Sequence, residues 1–350
     1  MCSRLRTGTG TVSRPSASAE FFPNLNPITD KQVRAVANYR GQTYFAGQFL
    51  RAGSLSVFYI ASYNGLELNP LGGGVDGVVN SLSVLGDMLV VGGGFTRVFQ
   101  PLRRSGDNPS GEDSGGILYT GGLAGWKGDR WTTIGDTRLE GILSSSLVNN
   151  SRLYIGGRFN DPERRNNVAV FDGTRWSSIC GTSGACGVVG GEVHAMVVDG
   201  ADLYVGGSFI SAGGVDASRI ARHDGHHWYS LGSFNGNVNA LSIANGDLFA
   251  GGEFTQHNGV EHKYVARFRS GQWYSLGTGV GGAVWSMAAM SSCVFVGGGF
   301  TSVEGKTQVA EVPYLNAARW CVDLATGASA WEPVDWAVKD AGTCYAVVQV

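Results

Sequence analysis

Short stretches of alternating apolar and polar residues recur along the chain, each closed by a glycine-containing turn. The clearest unit runs from Val238 to Gly277: VNALSIA, an Asn245-Gly246 turn, DLFAGGEF, then YVARF, a Ser270-Gly271 turn and QWYSLG. The preceding unit repeats it as VHAMVVDG, DLYVGGSF, SRIARH, Asp224-Gly225 and HWYSLG. A period of two places successive side chains on opposite faces of a strand, and Asn-Gly or Asp-Gly supplies the positive φ that a tight hairpin needs. The pattern predicts four short strands per unit, joined by hairpins, and no helix.

Six copies of an apolar pair followed by a glycine turn and phenylalanine mark the repeat: YFAGQF, VVGGGF, YIGGRF, YVGGSF, FAGGEF and FVGGGF. They end at Phe49, Phe95, Phe159, Phe209, Phe254 and Phe300, spaced 46, 64, 50, 45 and 46 residues apart. A period near 45 built from four strands fits one blade of a β-propeller. A lone blade cannot bury both faces, so neighbours must stack. The paired glycines are expected at a bulge or a close approach between sheets, where a side chain would clash. Trp131, Trp176, Trp228 and Trp273 offer flat surfaces for packing between blades, with Leu68 in that place in the first unit.

The ends bear on the blade count. Residues Val334 to Val350 lie in register with Val238 to Phe254, a degenerate seventh start, and Phe21-Phe22-Pro23-Asn24-Leu25 resembles an outer strand. The fold expected is all-β: a β-propeller of seven four-stranded blades, the last closed jointly by the N- and C-terminal segments, with six blades and an appended hairpin as the alternative. Residues 1–32 would supply the outer strand of the closing blade, and residues 33–350 the repeats, as one domain. Joint closure removes two exposed sheet edges.

Composition agrees. Of 350 residues 55 are glycine, while only 15% are charged and 11% aromatic. So much glycine disfavours helical bundles, and so many large apolar residues disfavour disorder. A net charge of −2 without a basic stripe argues against nucleic acid as a partner. No apolar run approaches the roughly 20 residues of a bilayer span, and the first twenty residues lack the apolar stretch of a signal peptide. Cys180 and Cys186 bracket GTSGA, a loop of small residues able to close into a disulfide, which would favour an oxidising compartment. Asn149-Asn150-Ser151 is a glycosylation sequon.

Chemistry-bearing motifs are sparse. There is no HExxH, no nucleophile elbow, no P-loop and no calcium loop, and no cofactor or metal is implied. His223, Asp224, His226 and His227 cluster in one turn, but Asp-Gly is what that turn requires. The second position of each inner strand faces the expected axis: Arg34, Asn80, His194, Asn239, Trp285 and Asp335 form a candidate ligand ring at the channel mouth. The long polar insertion between Phe95 and Leu123 is a candidate interaction loop, with Arg97, Phe99, Arg103, Arg104 and Asp107 as its contacts.

The order of apolar strand, GG, second strand and Trp resembles kelch-type propeller repeats. The variant LYVGGSF…SAGG…IARHDGHHWYSLG is most similar to the propeller of the fungal cortical polarity-marker family and its bacterial relatives. That resemblance, covering about residues 33 to 350, implies an extracellular propeller of a membrane-anchored surface protein. The expected function is a non-enzymatic module, monomeric, binding a protein or glycan partner through rim loops at the cell surface or outside the cell. The alternatives are a carbohydrate-active enzyme with its site at the channel mouth, or a structural module of a larger surface protein.

Overall fold

The computed structural model describes residues 29–101, 116–135, 139–160, 166–290, 292–305, 308–309, 312–313, 316–322 and 328–334. Within them lie six four-stranded antiparallel sheets. Their innermost strands are Val33–Tyr39, Val79–Leu85, Glu140–Asn149, Val193–Asp199, Val238–Ala244 and Val284–Met290. Each sheet runs outward to an outermost strand: Leu68–Pro70, Trp131–Thr132, Trp176–Ser178, Trp228–Ser230, Gln272–Ser275 and Ser329–Pro333. We number the sheets 1 to 6 in chain order. Each innermost strand packs on that of the next sheet, from the first through to the sixth.

The two glycines of the repeated motif have separate jobs. The second faces the first residue of the innermost strand, as in Gly207↔Val193 and Gly252↔Val238, where the register slips by one residue. A Cβ on Gly207 would lie 2.0 Å from the Glu192 carbonyl oxygen, and one on Gly252 1.9 Å from that of Asn237. Only glycine fits beside this bulge. The first glycine faces the next sheet: a Cβ on Gly206 would lie 2.6 Å from Val238 Cγ1, and one on Gly251 2.5 Å from Val284 Cγ1. Both the bulge and the close approach are therefore present, one per glycine. In sheet 1 the first position is Ala46, fully buried.

Two further contacts repeat. The motif phenylalanines Phe49, Phe95, Phe159, Phe209, Phe254 and Phe300 are all buried. Each outer-strand tryptophan donates its indole N–H to a carbonyl just past the outermost strand of the preceding sheet: Trp131 to Leu71 (3.3 Å), Trp176 to Ile134 (3.0 Å), Trp228 to Ile179 (3.2 Å), Trp273 to Leu231 (2.8 Å) and Trp331 to Leu276 (2.9 Å). A buried N–H is thereby satisfied while the ring fills the gap between sheets.

Among the described residues, the connection from second to third strand carries a two-stranded hairpin in five of the sheets. These hairpins comprise Arg51–Ala52 with Leu55–Ser56, Arg97–Phe99 with Ile117–Tyr119, Ser211–Ala212 with Val215–Asp216, Gln256–His257 with Val260–Glu261, and Gln308–Val309 with Val312–Pro313. The insertion after Phe95 thus carries a two-stranded stem, where its polar composition had suggested loop alone. Val98, paired with Leu118, is fully buried and fixes that stem.

Two disulfides lie in the described residues. Cys180–Cys186 is the pair expected from the small-residue loop. Cys293–Cys321 joins the second and third strands of sheet 6, where the two residues are register partners. No helix among the described residues is long and apolar enough to cross a membrane.

Candidate functional site

The register slip in every sheet leaves one residue unpaired on the innermost strand: Arg34, Asn80, Ser144, His194, Asn239 and Trp285. Five of these are the residues singled out at the second position of the inner strands; Ser144 completes the series. It was hidden because sheet 3 has no valine before it and a longer inner strand. All six are half-buried. Asp335 lies outside the described residues.

The bulge residues connect neighbouring sheets. Arg34 Nη1 donates to Asn80 Oδ1 at 2.7 Å, and Asn80 Nδ2 donates to the Leu143 carbonyl at 2.8 Å. His194 Nδ1 lies 3.0 Å from Asn239 Oδ1, and Asn239 Nδ2 donates to the Val284 carbonyl at 3.4 Å. His194 Nε2 approaches Glu192 Oε1 at 3.4 Å. Deeper along the strands, Ser83 and Ser146 hydroxyls meet at 3.0 Å. These polar contacts tie the inner strands of sheets 1, 2 and 3 to one another, and those of sheets 4, 5 and 6. The amide and imidazole groups are engaged with one another and with backbone carbonyls, so the series reads first as a scaffold.

The candidate interaction loop divides in two. Arg103, Arg104 and Asp107 lie outside the described residues. Arg97 Nε donates to Asp76 Oδ2 at 2.9 Å, and Asp76 also accepts the backbone N–H groups of Thr96 (2.7 Å) and Arg97 (2.8 Å). Partial burial alone would raise the Asp76 carboxyl, but these hydrogen bonds outweigh it and hold the pKa at about 2. Asp30 accepts the N–H groups of Leu50 and Arg51, and Asn235 those of Thr255 and Gln256, in the equivalent places. Phe99 is half-buried, with its Cβ over Gly73. Both residues anchor the hairpin stem to the neighbouring sheet.

What the stem exposes was not legible beforehand. Ile117 and Tyr119, on its return strand, are 48% and 73% exposed. They belong to a wider pattern. In an antiparallel four-stranded sheet, second-to-third connections and sheet-to-sheet connections emerge on one side, and the tight hairpins on the other. Of the twelve large apolar residues exposed among the described residues, nine lie on the first side: Leu50, Leu55, Phe58, Ile117, Tyr119, Ile142, Val189, Ile210 and Val260. Leu66 sits in a tight hairpin, and Tyr229 and Tyr274 on outermost strands.

The histidine turn does not converge. His223 is buried against Trp228, the rings tilted with centroids 5.0 Å apart, and its Nε2 lies 3.2 Å from the Cys180 carbonyl. Asp224 accepts the N–H groups of His226 and His227 at 2.9 and 2.7 Å, as a turn aspartate does. Among the described residues no three His, Cys, Asp or Glu side chains gather in a way that could hold a metal ion.

Comparison with known proteins bears on the fold. The family described as "Domain of unknown function (DUF5122) beta-propeller" matches residues 243–271, from the end of the innermost strand of sheet 5 to the turn before its outermost strand. The chain is a β-propeller. Its six described sheets are blades, and the repeated glycine and tryptophan contacts are blade-to-blade contacts. Among solved structures it is similar to YjhT, at 12% identity over 87% of this chain and 99% of that one, with a TM-score of 0.47. It is also similar to the WD40 β-propeller domain of Doa1, at 15% identity over 77% and 90% of the two chains, with a TM-score of 0.37. A third similar structure is the extracellular domain of a hybrid two component system, BT4673, from B. thetaiotaomicron (10% identity, 86% and 40% covered, TM-score 0.49). No curated protein matches the chain.

Proposed function

We propose that this chain is a non-enzymatic β-propeller that docks a protein partner on the face bearing the second-to-third-strand hairpins, at the cell surface or outside the cell. The observation that carries the reading is the one-sided distribution of exposed apolar residues. Isolated surface apolar residues need no explanation, but their concentration on one side of a repeat protein is how binding faces are built. Two disulfides suit an oxidising compartment. The GGxF and D-G-x-x-W elements support a place among kelch-like repeats related to the polarity-marker propeller.

The blade count belongs to the same reading. Blade 1 buries Phe45, Phe49 and Ala61 on the side turned away from blade 2, and blade 6 buries Ala288, Phe295 and Ala317 together with Val334. Elsewhere such faces are covered by a neighbouring blade, and the innermost strands of blades 6 and 1 do not pack on each other as the five consecutive pairs do. Thr29 bridges Ala52 as Val75 bridges Val98 and Val280 bridges Val303, so residue 29 sits where the exit from a preceding outer strand sits elsewhere. These features support a seventh blade closed jointly by residues 1–32 and the segment after Val334. Deleting residues 1–32 is expected to lower the melting temperature and cause aggregation. A monomeric truncation with unchanged melting would count against seven blades.

The docking reading is tested by capture of partners from secreted fractions with full-length protein, a Phe58→Ser/Tyr119→Ser/Ile210→Ser variant and a chain lacking residues 102–115. Loss of the captured species by the folded triple variant is expected. Undiminished capture removes the face from the account. A panel of glycan substrates on the same protein addresses the enzymatic alternative, for which the ring of Arg34, Asn80, His194, Asn239 and Trp285 is the place to look.

A further inference from the structure

Three positions that meet in space set one gap between blades apart from the gap before it. Between blades 2 and 3, at the end where the tight hairpins lie, the gap is filled by Leu85 and Met88 packed against the buried cluster that contains Phe171. Leu85 and Met88 are register partners closing the inner hairpin of blade 2, and Phe171 pairs with Trp176 on the outer side of blade 3. One blade further on, the same three places hold Asn149, Arg152 and His223: Asn149↔Arg152 closes the inner hairpin of blade 3, and His223↔Trp228 is the outer pair of blade 4. In the other blades the place of His223 is a large aromatic ring: Tyr63, Trp126, Phe171, Phe268 and Trp320. Relative to the gap between blades 2 and 3, three apolar fillers are thus replaced by an amide, a guanidinium and a small imidazole.

The consequence is a groove of about 720 Å³ between blades 3 and 4, with Asn149, Arg152 and His223 in its lining. That volume lies within the range of small-molecule sites. Its floor is apolar, from Val170, Ile179 and Leu203, and Tyr154 and Ser178 add hydroxyl groups. One wall is the segment ending at Cys180, pinned by the disulfide to Cys186 and by the contact of His223 with the Cys180 carbonyl.

The charge is the unusual feature. In blades 4 and 5 the residue equivalent to Arg152 is an aspartate paired within its own blade: Asp202 with Arg222 at 3.2 Å, and Asp247 with Arg267. In blade 3 the charge is reversed, and the cross-strand place of Arg222 and Arg267 is taken by Val170, opposite Tyr154. The exposed Arg152 guanidinium forms no ion pair with a described residue, and no carboxylate lines the groove.

We propose that this groove is a binding site for a sugar carrying a carboxylate, with Arg152 taking the carboxylate, Asn149 and Tyr154 the ring hydroxyls, and the apolar floor the ring face. Arginine matches a carboxylate with two parallel N–H donors, and a few polar groups over an apolar floor suit the hydroxyls and ring face of a pyranose. The site lies on the face opposite the hairpin face and does not depend on it.

The test is calorimetric titration of the full chain, confirmed by intact mass to carry no glycan at Asn149, with D-glucuronate, D-glucose and inorganic phosphate. Glucuronate is expected to bind saturably, glucose at least about tenfold more weakly because it forgoes the charge-assisted bidentate contact with Arg152, and phosphate also more weakly because it forgoes the contacts to the ring. Arg152→Gln is expected to weaken glucuronate about tenfold, while Arg175→Gln, an exposed arginine of the same blade outside the groove, leaves it unchanged. His223→Phe, which restores the repeat and fills the groove, is expected to abolish binding with near-ultraviolet circular dichroism intact. Absence of saturable glucuronate binding, equal binding of glucose or phosphate, or equal behaviour of the two arginine variants overturns the proposal.

Discussion

Placing a methyl group on Gly206 perturbs the blade-to-blade contact at its closest point. Gly206 has ordinary strand dihedrals, so the cost is steric: the new Cβ would lie 2.6 Å from Val238 Cγ1 and 3.4 Å from Leu241 Cδ1 in the next blade. Val238 is fully buried and cannot swing aside. Overpacking of this kind costs about 1–3 kcal/mol, offset by roughly 0.4–1 kcal/mol from the stiffer unfolded chain. Val238→Ala alone, which removes two methyl groups and leaves a cavity, costs about 2–3 kcal/mol. In the double variant the alanine methyl enters the space vacated by the valine, so the combined loss is smaller than the sum by about 1–2 kcal/mol. Urea denaturation followed by tryptophan fluorescence reads all four proteins, with the slope of the transition checked for constancy. Additive losses, within about 0.5 kcal/mol, refute the argument, because they mean that the two residues do not share one contact.

Further outcomes follow from other contacts. Asp76, held at a pKa of about 2 by the Thr96 and Arg97 donors, contributes stability that is complete above the unfolded carboxylate value of about 3.9 and lost as pH falls through about 2. The corresponding magnitude is about 2 kcal/mol, so Asp76→Ala flattens the acid limb of stability against pH, whereas Asp76→Asn keeps the backbone caps, as Asn235 does. Opening the Cys293–Cys321 bridge by Cys293→Ser/Cys321→Ser frees a 28-residue loop and is expected to cost about 3 kcal/mol, read as a drop in urea midpoint. Burial lowers the pKa of His223 despite its contact with the Cys180 carbonyl, so its protonation destabilises the fold as pH falls below about 6.5. His223→Phe is therefore expected to lessen the loss of melting temperature between pH 7.5 and 5.5, an effect absent from a surface variant such as His226→Phe.

How far the sequence foretold this depends on whether a feature repeats. The strands, the hairpin turns, the need for glycine at a bulge or a close approach, and the series of inner-strand residues were legible because they recur in register, as Val193–His194 and Val238–Asn239 do; that this series sits at the bulges was not. The indole hydrogen bonds were legible only as packing, since a tryptophan's acceptor lies a blade away in space. The Cys293–Cys321 bridge escaped notice because 28 residues separate its halves and only the strand register brings them opposite. A left-handed residue before the third strand was equally hidden: Tyr59, Asn167, Arg219, Tyr264 and Asn316 take positive φ there without being glycine. Each is held by the same pair of backbone bonds, to the second glycine and to the motif phenylalanine carbonyl, as when Arg219 accepts from Gly207 and donates to Phe209. The hairpin face and the groove lay further out of reach, since both depend on which side of a sheet a connection leaves and on what a neighbouring blade fails to fill.

An experimentally determined structure of the full chain tests the account at its centre. It is expected to show a seventh sheet between the Phe45–Phe49 side of blade 1 and the Phe295–Ala317 side of blade 6, its strands drawn from both ends of the chain. Blade 6 seated directly on blade 1, or either apolar side left open to water, would contradict it.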